Sequence, residues 1–499
     1  MLPLGVHAET PLSAIDWLAE HGKKDSSKLS STPNLRENPA LSATVSTDIE
    51  VTVLRDIQRD AVGLLPPEVT GLPVTLWRNS TTQDLLSLLE ASQVSQNPSI
   101  QSLTMRVMLA EGDAPYDSNG KFNFLRAKLE KLIQYGAIDP ALAMLERAAP
   151  LPAPLVPILF DLSMYSEALE PACEQVLQLG AAFENDSARI YCLARRGEWQ
   201  SANIMLTTAE ALQSLTPRET AMLHFFLETG SEKISDLYFS ADSVPTPLEY
   251  RLYEAFGEPV PANNLPLAFS VAELSGDKGW KAQLEAAERL SKSGVFSDNQ
   301  LLGLLTKKPA PASGGIWDRV TMIQDLEQAL EANAPARISV ALRTVWSALG
   351  TSALATPIAR LFYKRLVAAN LLKQDLVLVH EMGLLTDHYQ DAAKALITRS
   401  RKHRLEVAVA LNRFTFFSPR NEFEQAILKA YKTPRIPYSV SNLLAQGKLG
   451  EVILNATLQF EKGSDGDLQD LIEALSTLRH IGLDDTARRA TLSLIKLGY

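Results

Sequence analysis

The sequence of 499 residues lacks the features that usually identify a membrane protein or a nucleic-acid-binding protein. Its net charge of −10 at pH 7 excludes a broadly basic surface for nucleic acid or anionic membrane. Its longest apolar stretch, residues 149–160, contains four prolines. Because proline interrupts helices, no segment predicts a transmembrane helix. We expect neither a nucleic-acid partner nor a membrane-spanning segment.

Catalytic and cofactor motifs are also missing. The sequence contains no P-loop, no dinucleotide-binding fingerprint, no nucleophile elbow and no CxxC pair. It also lacks any Glu-Ser dipeptide, the catalytic feature in which lytic transglycosylases resemble one another. We therefore expect a protein that is not an enzyme and that holds no cofactor and no metal.

Two groups of histidine and basic side chains are the remaining candidate sites. His380 and His388 lie eight residues apart with Glu381 and Asp387 between them, but Gly383 interrupts the helix that would align them. We interpret these histidines as ordinary side chains rather than metal ligands. The one basic cluster is interpreted as a solvated turn between helices, and it comprises Arg399, Arg401, Lys402, His403 and Arg404.

Residues 165–206 predict three consecutive antiparallel helices. In the first, apolar side chains recur at helical spacing between Leu169 and Leu177, and Gly180 follows as a C-cap. The second helix ends before Gly197, and the third follows directly. Short connections between helices of similar length favour antiparallel packing.

The two cysteines, Cys173 and Cys192, lie equally far from the turn at residues 182–183. In an antiparallel hairpin they should therefore face each other, at the Cα separation of roughly 4.4–6.8 Å that a disulfide needs. The spacing predicts a disulfide, and the alternative is two reduced thiols buried between helices. A bridge would contribute about 3 kcal/mol and would indicate an oxidising compartment.

Helical patterns dominate from Ser80 onward and predict an all-α fold, an α-solenoid-like array of antiparallel helical hairpins. A faint motif of a small or polar residue, a bulky apolar residue and alanine recurs, and its copies are residues 136–141, 163–168, 197–202, 387–392 and, more loosely, 482–487. The 34-residue spacing from 163 to 197 is typical of tetratricopeptide (TPR) repeats. The alternative is plain antiparallel helices with glycine in their turns.

The N-terminal residues indicate export. Residues 1–8, MLPLGVHA, are typical of the end of a secretory signal peptide, with small residues at the positions before a cleavage point. The mature chain would then begin at Glu9. The alternative is the ordinary N-terminus of a cytosolic protein.

Residues 9–48 predict a short amphipathic helix and a flexible linker. We call the short helix the N-terminal arm, and its apolar residues are Leu12, Ile15, Trp17 and Leu18. Two uses of the arm are open: it straps the chain's own body, or it binds a partner. Residues 49–79 predict an extended, proline-rich segment, either a pair of short strands or a proline-pinned coil over the helices.

The helical body is predicted to form two blocks, residues 80–306 and 316–499. Residues 307–315, KKPAPASGG, combine prolines with a flexible Ser-Gly-Gly end and predict a linker between the blocks. The sequence leaves the oligomeric state open.

Four stretches resemble segments of uncharacterised exported bacterial proteins of the helical-repeat, TPR-like type. They are SAIDWL at 13–18, AVGLLPPEVTGLP at 61–73, ARIYCLARRGEW at 188–199 and ASGGIWDRV at 312–320. The resemblance runs along most of the chain and implies an exported helical protein. It supplies no functional residues.

These features predict a non-catalytic periplasmic scaffold that binds protein partners in the cell envelope through the extended surface of its helical array. Two alternatives stay open. One is a peptidoglycan-associated enzyme or enzyme regulator, and the other is a cytosolic TPR-like adaptor.

Overall fold

A computed structural model describes residues 58–166, 168–228, 244–400 and 402–498. The predicted signal remnant and the N-terminal arm with its linker, residues 1–48, lie outside the described residues. The arm residues Leu12, Ile15, Trp17 and Leu18 are therefore not placed.

The described chain is all-α, as predicted, and consists of 25 α-helices with five short 3-10 turns. The first twelve helices are α1 Pro67–Thr70, α2 Thr82–Ala91, α3 Pro98–Leu109, α4 Asn123–Tyr135, α5 Ile138–Arg147, α6 Val156–Met164, α7 Leu169–Leu179, α8 Asp186–Arg195, α9 Trp199–Ala211, α10 Pro217–Leu227, α11 Pro247–Ala255 and α12 Phe269–Ala272. None of the described helices is both long and apolar enough to cross a membrane.

The second part of the chain continues in the same way. Its helices are α13 Trp280–Lys292, α14 Asp298–Leu305, α15 Ile316–Glu331, α16 Pro335–Leu349, α17 Ala355–Ala368, α18 Lys373–Gly383, α19 Tyr389–Ile397, α20 Arg404–Leu411, α21 Glu422–Lys432, α22 Tyr438–Ala445, α23 Leu449–Ser464, α24 Leu468–His480 and α25 Asp484–Leu497. Successive helices pack as neighbouring pairs, for example α8 with α9, α15 with α16 and α23 with α24. The predicted array of helical hairpins is confirmed, whereas the TPR period stays a prediction.

Local sequence signals explain where several helices begin. Before α10, the Thr216 hydroxyl accepts a hydrogen bond from Glu219 N, and the Glu219 carboxylate accepts one from Thr216 N. This capping box satisfies amide groups that the first helical turn leaves free. Thr246 and Ser297 build the same arrangement before α11 and α14.

In its described part, the proline-rich segment 49–79 forms helical turns rather than strands. The turns are Arg59–Ala61, Pro67–Thr70 and Val74–Leu76. Because proline lacks an N–H and fixes φ, Pro66 and Pro67 start a helical turn but cannot join a ladder of strand hydrogen bonds. The only strand-like pairing in the described ranges is one bridge between Leu65 and Ala110. For residues 58–79 the strand alternative is wrong, and the alternative of a proline-pinned coil over the helices describes the chain.

The first described helices pack against the last ones. α2 contacts α23, and α3 contacts both α23 and α25. Asn97 Nδ2 donates a hydrogen bond to the Ala490 carbonyl, 2.9 Å away. A Cβ atom on Gly450 would lie 2.4 Å from the Trp77 ring, so only glycine allows this close approach. The two ends of the described array are therefore held together.

The helices on either side of residues 307–315 are in direct contact. Gln324 in α15 donates a hydrogen bond to the Leu305 carbonyl at the end of α14, 2.8 Å away. The rings of Trp280 and Trp317 pack with their centroids 4.7 Å apart. The division of the chain into two separable blocks stays a prediction.

Candidate functional site

The predicted hairpin of α7 and α8 carries the disulfide. Cys173 and Cys192 face each other with their Cα atoms 5.1 Å apart, and their sulfur atoms are bonded at 2.03 Å. This is the geometry that the mirrored positions predict. Asn185 caps α8 by accepting a hydrogen bond from Ala188 N, 2.9 Å away. The disulfide thus holds the two helices together, and the Asn185 cap fixes where α8 begins after the turn.

The next helix, α9, packs on α8 and α10. Its inner face is apolar, and Ala202, Leu206 and Ala209 are buried there. At its start, the Trp199 ring lies 6.3 Å from the Phe226 ring. The disulfide-linked hairpin therefore presents α9 as an outer helix with one side free.

None of the fully exposed residues of α9 is charged. Its exposed residues are Trp199, Gln200, Ser201, Asn203, Ile204, Thr207, Thr208 and Ala211, and exposed Leu212 follows. Ile204 is 69% exposed and Leu212 is 72% exposed. The single charged residue of α9, Glu210, is half-buried and accepts a hydrogen bond from His224 of α10. We call this side of α9, from Trp199 to Leu212, the α9 face.

A cleft of about 350 Å³ opens just beyond the C-terminal end of α9. It lies between the first turn of α6, the turn from α7 to α8 and the turn from α9 to α10. Its lining combines apolar and acidic side chains and consists of Pro157, Phe183, Glu184, Asn185, Asp186, Ser187, Ser214, Leu215 and Glu219. The cleft and the α9 face are adjacent because Ser214 and Leu215 directly follow the end of α9.

Two of the three carboxylates in this cleft take part in hydrogen bonds within the protein. Ser187 donates to Glu219 over 2.9 Å, and Ser214 donates to Asp186 over 2.5 Å. These bonds hold the walls of the cleft. Glu184 is exposed at the tip of the disulfide-linked turn. Asp186 is also paired with Arg189, 3.1 Å away, so the exposed carboxylate that the cleft offers to a ligand is that of Glu184.

The electrostatics keep one of these groups ionised. Burial alone would raise the pKa of the Glu219 carboxyl, but hydrogen bonds from Thr216 and Ser187 outweigh burial and hold its pKa below the ordinary value. At neutral pH the Glu219 carboxylate therefore keeps its negative charge, and with the exposed Glu184 it makes the cleft suit a cationic group, while the α9 face suits an uncharged one.

The structure places both histidines, His380 and His388, beside one tyrosine, Tyr363. His380 lies in α18 and His388 just before α19, because α18 ends at Gly383. Their rings lie 6.4 and 6.0 Å from the Tyr363 ring. Within the described ranges, no group of three or more His, Cys, Asp or Glu side chains is arranged to hold a metal ion.

The basic cluster at 399–404 joins α19 to α20, and Arg401 lies outside the described residues. The interpretation of this cluster as a solvated turn is wrong for His403, because its side chain is buried. Its Nδ1 atom lies 3.0 Å from Glu406, and Lys496 of α25 lies 2.9 Å from Glu381 and 3.4 Å from Glu406. This charge cluster fixes α25 on α18 and α20.

Sequence reasoning missed both this cluster and the α9 face. Lys496 is 93 positions from His403, so no local pattern connects them. The α9 face did leave a signal, since WQSANIMLTTAEA contains a single charged residue in a chain with 21% charged residues. A search of this sequence against family models, curated proteins and solved structures finds no match.

Proposed function

We propose that this protein is an exported, non-catalytic helical scaffold that binds a protein partner in the cell envelope through the α9 face. The observation that carries the proposal is the absence of charge on the exposed side of α9. Protein interfaces are depleted of charged residues at their centre because each buried charge must lose its water. A partner can cover Ile204 and Leu212 without that cost.

The disulfide supports the choice of compartment. Disulfides persist in secreted and periplasmic proteins and are rare where thiols are kept reduced. The bridge between Cys173 and Cys192 lies in the hairpin that carries α9. The signal-like residues 1–8 and the resemblance to exported helical-repeat proteins favour the same compartment.

The partner is tested by cross-linking in cells with two matched variants. Ile204→Glu/Leu212→Glu places two carboxylates on the α9 face, and Thr321→Glu/Gln328→Glu places two on the exposed side of α15. We expect the first variant to lose the cross-linked envelope protein and the second to keep it. Equal cross-linking by both variants, or cleavage of peptidoglycan by the purified protein alone, would overturn the proposal.

The compartment is tested by thiol labelling. The unfolded, unreduced protein from its native cells should show no free thiol, because both cysteines of the chain are in one bridge. Two free thiols in freshly trapped protein would contradict an oxidising compartment and would favour a cytosolic adaptor.

A further inference from the structure

We infer that the chain's own N-terminal arm docks on the α9 face and places its following lysines, Lys23 and Lys24, in the acidic cleft. The occupant is thus residues 9–24 of the same molecule. The inference uses the surface that the proposed function assigns to a partner, but it does not depend on the existence of that partner. Docking in cis would make the arm a competitor for the surface.

The order of chemical groups in the arm matches the order on the body. Residues 9–24 contain first the apolar arm residues Leu12, Ile15 and Leu18 and then the two lysines that follow the arm, Lys23 and Lys24. The body presents the charge-free α9 face and then, past its C-terminal end, the acidic cleft. An arm that runs parallel to α9 therefore meets an uncharged surface with apolar residues at Trp199, Ile204 and Leu212 first, and the acidic cleft second.

The lengths also agree. Ile204 and Leu212 are two turns apart on α9, which is about 12 Å at 1.5 Å per residue. Leu12 and Leu18, if helical, span about 9 Å at the same rise. The five residues from Leu18 to Lys23 then span the distance between the end of α9 and the opening of the cleft. In a helix, Glu20 of the arm would lie on the side away from Ile15 and Leu18, whereas Asp16, four residues after Leu12, would lie beside Leu12 at the edge of the apolar stripe.

The start of the described chain lies close enough for this docking. Arg59 Nη2 donates a hydrogen bond to the Pro150 carbonyl, 3.0 Å away. Pro157 lines the cleft and follows Pro150 by seven residues, a path of at most about 25 Å. The predicted flexible linker contributes residues 25–48 to the tether, and a flexible chain of that length spans about 27 Å on average before the extended segment begins at residue 49.

The tether also favours docking within one molecule. A flexible linker that matches the distance to be spanned gives an effective concentration on the order of 1 mM. An arm whose affinity in isolation is weak would therefore still be bound for much of the time. A second copy at micromolar concentration competes poorly with it.

Site-specific photocross-linking in the full chain tests the inference. The photoreactive residue benzoylphenylalanine replaces Trp17, which keeps an aromatic group in the arm, and the cross-linked peptides are identified by mass spectrometry. We expect cross-links within one molecule to residues 199–215. Ile204→Glu/Leu212→Glu should abolish them, and Thr321→Glu/Gln328→Glu should leave them unchanged. Cross-links to another part of the body, or only between molecules, would overturn the inference.

A charge reversal tests the lysines separately. Lys23→Glu/Lys24→Glu should lower the cross-link yield about threefold, as expected for exposed ion pairs, and Glu184→Lys in the same chain should restore it. An unchanged yield in the first variant, or no recovery in the second, would show that the cleft does not receive the lysines.

The two proposals fail differently. If the arm does not reach α9 while the α9 variant still loses its partner, the inference is wrong and the scaffold proposal stands. Deletion of residues 9–48 should raise partner cross-linking if the arm competes for the surface. Unchanged partner cross-linking after the deletion would contradict that competition.

Discussion

Helices α9 and α15 are both outer helices, but they are held and exposed in different ways. α15 is anchored by ion pairs, since Arg319 donates two hydrogen bonds to Glu288 of α13 over 2.9 and 2.8 Å. α9 is anchored mainly by apolar burial along its inner face, together with the hydrogen bond between Glu210 and His224 of α10. The exposed residues of α15 are Asp318, Thr321, Asp325, Gln328 and Glu331, and three of these five carry a carboxylate. The exposed side of α9 has none.

The difference shows that the residues of an exposed helix face can favour either permanent contact with water or burial under another protein segment. A partner on α15 would have to remove water from three carboxylates, which costs several kcal/mol per ion unless each one is paired. A partner on α9 covers Trp199, Ile204 and Leu212, whose burial is favourable, together with uncharged polar side chains that cost less to bury than carboxylates. Four predictions test this contrast, in order of decreasing effect.

The largest effect is expected from the inner face of α9. Leu206→Ala should lower the free energy of unfolding by about 3–5 kcal/mol, because it removes buried methyl groups and leaves a cavity. Leu206 is 1% exposed, and Leu326, its counterpart on α15, is 0% exposed. Urea unfolding of Leu206→Ala and Leu326→Ala should therefore give similar losses. A loss below 1 kcal/mol for Leu206→Ala alone would mean that apolar packing does not hold α9.

Removal of the disulfide should have the next largest effect. Cys173→Ser/Cys192→Ser should destabilise the α7–α8 hairpin by about 3 kcal/mol, because the bridge restricts the unfolded chain. Hydrogen exchange should rise in α7 and α8 and stay unchanged in α15 and α16, which have no cysteine. An equal rise in all four helices would show that the hairpin does not open by itself.

The exposed faces should respond weakly. Ile204→Glu should lower the free energy of unfolding of the full chain by at most about 1 kcal/mol, the share that a weakly docked arm adds by mass action. Thr321→Glu should change it by less than about 0.5 kcal/mol, as is usual for surface substitutions. Thermal and urea unfolding of both variants give the comparison. The reverse order would contradict the contrast between the two faces.

The smallest effect should be confined to the first turn of α10. Because the pKa of Glu219 is lowered in the folded protein, its contribution is present above its ordinary value near 4.5 and is lost as the pH falls through the lowered value. Amide exchange in that turn should therefore accelerate below about pH 4.5 relative to α15. Glu219→Gln keeps a capping side chain and should remove this acid dependence. Persistence of the dependence in that variant would assign it to another carboxyl.

Much of the fold could be predicted because its signals are local. Gly180 and Gly197 delimit α8 and its neighbours, and the Thr216–Glu219 pattern fixes the start of α10. The pairing of Cys173 with Cys192 followed from their equal distance to one turn. For residues 58–79 the sequence left open a pair of short strands or a proline-pinned coil, because prolines and apolar residues suit both an edge strand and a chain of short turns, and the structure shows the turns.

The candidate site was less accessible to sequence reasoning. The acidic cleft is lined by residues between Pro157 and Glu219, which come from the first turn of α6, the turn from α7 to α8 and the turn from α9 to α10. Burial decides which side of α9 is exposed, and burial depends on α8 and α10 together. The sequence showed that α9 is poor in charge, but not that its charge-free residues face solvent.

By itself, the sequence determined the helical class, many of the helix boundaries and the cysteine pair, because caps, glycines and helical periodicity act within a few residues. Only the tertiary structure decided that the ends of the described array meet, through Asn97 and Ala490 and through Trp77 and Gly450. It also brought His403 to Lys496 and the α9 face to the cleft. Such contacts depend on how helices distant in sequence share one core, and no local pattern encodes that arrangement.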